Sequence, residues 1–148
     1  MPAQVQSFGA QAHAQANELL HAIAAAEGII VSTIERECEA LRAGRMLAAN
    51  ALRMRLRDAS RLYLNTVRAA RASLWTMEQF VPGIGDFLSE QRAAFASLLK
   101  VELAVLAAER AAAESGLQFK TIDALREPAA ARARPRRARR RQRLRRAS

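Results

Sequence analysis

Large apolar side chains recur in this chain at steps of three, four and seven, over three successive stretches separated by glycine-bearing breaks. An α-helix turns once every ~3.6 residues, so this spacing gathers the apolar groups onto one stripe, whereas a strand would need alternation. In the first stretch Ile23, Ile30, Ile34 and Leu41 form the stripe, and Leu20 and Cys38 widen it. In the second, Leu56, Tyr63, Ala70 and Met77 fall at heptad spacing, with Leu52, Val67, Leu74 and Val81 on the adjoining strip. In the third, Leu88, Phe95, Leu99, Leu103, Leu106 and Ala113 share one face. A composition rich in Ala, Leu, Arg and Glu, with only 5% aromatics, favours the same helical reading.

The breaks set the boundaries. Arg42-Ala43-Gly44-Arg45 ends the first helix, since glycine accepts the left-handed conformation that closes one. Val81-Pro82-Gly83-Ile84-Gly85-Asp86 ends the second: proline removes a donor, the glycines permit a turn, and Asp86 stands where it would cap the next helix. Gly116 is read as a stop for the third. The predicted layout is a flexible start at 1–9 and a helical domain over 10–127, with helices near 10–43, 46–80 and 86–115 and a short amphipathic segment at 117–126. A disordered tail at 128–148 follows. Gly28 lies inside the first helix and marks either a weak point or a close helix contact. Each of the first two helices would be roughly 50 Å long and cannot bury its stripe alone. The expected fold is all-α: a long antiparallel helical hairpin completed by a third helix, as a three-helix bundle or a coiled-coil-like assembly.

The net charge of +10 is unevenly placed. Ten of the 24 basic residues lie in 129–148, leaving 14 in residues 1–128 to balance all 14 acidic ones. The body is neutral and the tail is a polycation. From Glu18 to Glu39 five acids face Arg36 alone, and from Arg45 to Arg71 seven arginines face Asp58 alone. This predicts charge complementarity between the first two helices, which at roughly 0–1 kcal/mol per exposed pair directs register more than it stabilises.

No pattern for catalysis or cofactor binding emerges, and the chain is read as a non-enzyme without cofactor or metal. Gly83-Ile84-Gly85 lacks the third glycine of a dinucleotide turn, with Leu88 in its place and no strand before it. Cys38, between Glu37 and Glu39, is read as a packing residue, because neighbouring acids oppose a thiolate. His13 and His21 are two turns apart, too far for i, i+4 chelation, and are read as solvated. Glu35, Glu37 and Glu39 are read as a charged helix face, with Glu37 projecting away from the other two. In the tail, Arg136, Arg137, Arg139, Arg140, Arg141, Arg143, Arg145 and Arg146 form a candidate polyanion-binding cluster for nucleic acid or an acidic surface. No aromatic is interleaved for base stacking. A lone cysteine, an N-terminus without a Sec-type signal and the lack of any run of about eighteen apolar residues predict a cytoplasmic chain with no transmembrane segment.

The stretch from Ile23 to Arg71, above all Ile34-Glu35-Arg36-Glu37-Cys38-Glu39-Ala40-Leu41-Arg42-Ala43-Gly44-Arg45, resembles the FlgN-type flagellar export chaperones, which place a glutamate and then Leu-Arg-x-Gly at the end of a first long helix. Leu56, Arg61, Leu62, Val67 and Arg71 are similar in layout to that family's second helix, and the resemblance spans about residues 18–110. It implies a cytoplasmic chaperone that binds hook-associated flagellar proteins, prevents their premature assembly and delivers them to the type III export apparatus. The family's C-terminal part holds the client, which here implies Leu99, Leu103, Leu106, Phe119, Ile122 and Leu125 as client-binding residues. The arginine-rich tail departs from the family pattern. The residues themselves leave two other readings open: a polyanion-binding protein acting through that tail, and a structural coiled-coil homodimer.

Overall fold

The computed structural model describes the backbone of residues 2–146 and, within it, the side chains of residue 4 and residues 6–117. Three α-helices follow one another, α1 (Pro2–Arg42), α2 (Met46–Phe80) and α3 (Ile84–Arg146), and no strand occurs among the described residues. The fold is all-α, as the periodicity predicts. α1 starts at Pro2 rather than near Ala10; proline suits a first helical position, where its missing N–H has no intrahelical acceptor to lose.

The α1–α2 turn closes with two hydrogen bonds: Arg45 N–H donates to the Ala40 carbonyl (2.8 Å) and Gly44 N–H to that of Leu41 (3.1 Å). With Gly44 at φ 69°, this is a Schellman cap, and the glycine is there because a Cβ would be strained in that conformation. The second turn departs from expectation. Asp86 does not cap α3 but lies in its first turn. Glu78, from the end of α2, supplies the carboxylate, accepting from Gly83 N–H (2.8 Å) and Gly85 N–H (3.0 Å). These two bonds hold its pKa below the usual carboxylate value.

Residues Met1–Arg110 form one compact unit and Ala111–Ser148 another. The first unit is an up-down-up bundle of α1, α2 and the first part of α3. At one end Ile84 and Leu88 pack with Ala16, Ile23, Ala70 and Met77; further along, the rings of Tyr63 and Phe95 meet at 5.1 Å. At the other end Arg42 contacts Glu109, and Glu37 contacts Arg110. Much of the core lies on the stripes read from the sequence: Ile23, Ile30, Ile34, Cys38 and Leu41 of α1, Val67, Ala70 and Met77 of α2, and Leu88, Phe95 and Leu106 of α3 are buried, whereas Leu20, Leu52, Leu56, Tyr63, Leu74, Val81 and Leu99 are half-buried and Leu103 is exposed. Each large aliphatic side chain removed from water contributes about 1.5–3 kcal/mol. Ala12, Ala16, Ala26, Ala40, Ala49 and Ala59 are buried among them, small enough to let the helices approach closely. Gly28 serves no such contact: α1 continues through it, and a Cβ there would meet nothing within 4 Å.

The second unit contains the rest of α3. Its described side chains, 111–117, are exposed apart from the half-buried Ala113. Gly116 does not stop the helix; among the described residues only Gly44 and Gly83 have positive φ. One glycine costs about 1 kcal/mol relative to alanine, which the preceding Ala111, Ala112 and Ala113 offset as strong helix formers. The expected segment at 117–126, beyond its first residue, and the tail expected to be disordered at 128–148 lie outside the described side chains.

Candidate partner-binding surface

The core stripe of α3 leaves a second apolar stripe uncovered. Leu98, Val101 and Val105 stand at i, i+3 and i+7, with Ala94 and Ala108 in line with them, and all five are exposed. They lie roughly a quarter-turn around the helix from Leu88, Phe95 and Leu106. Val101 is 60% exposed, while Leu106 is 1% exposed. One helix therefore has two apolar faces: one spent on α1 and α2, the other open to water. A partner helix bearing its own i, i+3, i+7 anchors fits the open face.

One residue of the candidate client-binding set is corrected. Leu106 belongs to the core of the bundle and has no surface to offer a client. Leu99 is half-buried, Leu103 is 44% exposed, and Phe119, Ile122 and Leu125 lie outside the described side chains. Leu106 lies on the face that the hairpin takes, while Leu103 keeps an exposed flank. Leu98, Val101 and Val105 were visible as a second periodic set, but a helix with two such sets does not announce which will be buried. The candidate tail arginines, Arg136 to Arg146, also lie outside the described side chains.

Behind this surface the bundle is tied by a buried charge. Glu37, 0% exposed, accepts two hydrogen bonds from Arg110, from Nε (2.8 Å) and Nη2 (3.0 Å), and Arg53 Nε lies 3.6 Å away. One carboxylate thus joins α1 to α2 and to α3. Glu37, expected on a charged helix face, does project away from Glu35 and Glu39, and the direction it takes is inward. Arg42 Nε, on α1, donates to Glu109 of α3 at 2.7 Å. Fork-shaped guanidinium–carboxylate pairing of this kind fixes helix register.

The charge complementarity expected between α1 and α2 is mostly unrealised. Among the described residues, Arg53–Glu37 is the ion pair that joins these two helices, and Arg55, Arg57, Arg61, Arg68 and Arg71 point to solvent. One acid of α1, Glu37, takes its hydrogen bonds from Arg110 of α3 instead, and the outer face of α2 is left cationic.

Cys38 is buried, and burial pushes its thiol pKa up, with Arg42 opposing and Glu109, Glu37 and Glu102 adding to the rise. It is a packing residue, not an open nucleophile. His13 and His21 are exposed, and no group of His, Cys, Asp and Glu among the described residues could hold a metal. Glu27 has a buried Oε1 without a hydrogen bond, and desolvation raises its pKa. Among the described residues no helix is long and apolar enough to cross a membrane. Compared with protein-family models, curated proteins and solved structures, the chain matches none.

Proposed function

We propose that this chain works by binding, holding an amphipathic helix of a protein partner on the exposed face of α3. More particularly, we propose a cytoplasmic flagellar export chaperone of the FlgN type, which keeps hook-associated proteins from assembling early and hands them to the export apparatus. The observation that carries the reading is the open stripe Leu98–Val101–Val105 on a helix whose other face is already used. A bundle that keeps a second apolar stripe in water has a use for it, since exposed contiguous apolar surface is an association liability otherwise. The motif Ile34 to Arg45 supports the family assignment: it ends α1, and its Glu37 and Arg42 both reach α3, so it sets where the binding helix sits.

The test is co-purification of the tagged full chain, the chain lacking 129–148, and Val101→Asp, with hook-associated flagellar proteins sought by mass spectrometry. Recovery by the first two and loss from the third, with helicity unchanged, is the expected result. Recovery of nucleic acid by the full chain alone, or of nothing but a second copy of the chain, overturns the reading.

A further inference from the structure

The outer face of α2 carries a second surface, independent of the α3 stripe and of the function proposed for it. Arg57, Arg61, Leu64, Arg68, Arg71 and Trp75 follow one another at steps of four, three, four, three and four, which places them on one line along the helix. All six are exposed, Trp75 by 77%. None of the four arginines has an ion pair among the described residues. The two acids of α2 are elsewhere: Asp58 lines a groove shared with α1, and Glu78 is bound to the Gly83 and Gly85 amides. Arg71 also lines a cleft of about 270 Å³ among the three helices, whose apolar lining includes Ile23 of α1, Val67 and Leu74 of α2 and Leu88 of α3. Arg92 lines the same cleft.

We infer that this line is a docking surface for an acidic amphipathic helix of a protein partner. Charge complementarity selects the acid: four unpaired guanidiniums of one sign attract carboxylates and steer them into place. The apolar residues select protein over nucleic acid. A phosphate backbone satisfies arginines alone and a base can stack on Trp75, whereas Leu64 and the apolar cleft beside Arg71 are matched by aliphatic side chains. Trp and Arg are also the residues that most often dominate binding energy at protein interfaces.

Trp75 is the only tryptophan in the chain, so its emission reports occupancy of this line directly. Three probes are titrated into the full chain: a synthetic amphipathic peptide whose leucine stripe is flanked by glutamates, the same peptide with glutamines, and a single-stranded oligonucleotide. The glutamate peptide is expected to shift Trp75 emission to the blue. Arg61→Gln/Arg68→Gln is expected to weaken that response about tenfold, as loss of two exposed charge pairs implies. The glutamine peptide should bind at least as weakly as this variant allows. Val101→Asp, on α3, should leave the response unchanged, which separates this surface from the other. Because the substituted side chains lie in solvent, the variants keep the fold, checked by circular dichroism. A Trp75 response to the oligonucleotide but not to the glutamate peptide overturns the inference in favour of nucleic acid. A response to neither, or one indifferent to Arg61 and Arg68, overturns it outright.

Discussion

Replacing Arg110 with leucine removes both hydrogen bonds from a carboxylate that has no access to water. Glu37 is 0% exposed and would keep only Arg53, 3.6 Å away and not hydrogen-bonded to it. Breaking a buried ion pair from one side costs about 3–5 kcal/mol, because the remaining charge is stranded. The Arg110 side chain is itself 31% exposed, so water screens one flank of the pair and the lower end applies, about 3 kcal/mol. For a bundle of this size that lowers the melting temperature by on the order of 10 °C. The double variant Glu37→Leu/Arg110→Leu should recover to within about 1 kcal/mol of the parent, since two apolar groups of similar bulk need no hydrogen bonds. Arg53, 42% exposed along its side chain, is then left to water. Urea denaturation followed by far-ultraviolet circular dichroism measures all three proteins. A loss under about 1 kcal/mol in Arg110→Leu, or a double variant as weak as the single, refutes the account of Glu37 as a buried charge that depends on Arg110.

Gly28→Ala should stabilise the chain by about 0.5–1 kcal/mol, because the site is helical and open; an unchanged or lower denaturation midpoint would count against a straight α1 at this point. Gly44→Ala should do the reverse by about 1 kcal/mol, since its φ of 69° strains an L side chain, and a neutral result would sink the Schellman assignment. Glu78 has a folded pKa depressed by the Gly83 and Gly85 amides, so its stabilising contribution is present above the unfolded carboxylate pKa of about 4.3 and is lost as pH falls through the lower folded value. The stability difference between the parent and Glu78→Gln should therefore be constant near neutrality and shrink in acid; a pH-independent difference refutes the role. Cys38, buried with a raised pKa, should react with a maleimide only as fast as the bundle opens, and labelling at the rate of a free thiol would contradict its burial.

The sequence by itself determined the three helices of the bundle, the turn at Gly44, the turn around Pro82 and Gly83, and most of the large side chains of the core, though neither Ile84 nor most of its buried alanines. Each of these follows from local chemistry: the apolar period picks the buried stripe, and glycine and proline act on the backbone where they stand. Gly116 shows the limit of that reading, for whether a lone glycine ends a helix depends on the propensity of its neighbours. The tertiary structure alone decided the fate of Glu37, of the α2 arginines and of the two apolar faces of α3. Charge balance along the chain pairs α1 with α2, but Glu37 finds its short hydrogen bonds on α3, 73 residues away. Partners that far apart meet only once the bundle has set the rotation of each helix about its axis. The same rotation buries Leu106 and leaves Val101 in water, a choice between two periodic faces that the period alone does not make.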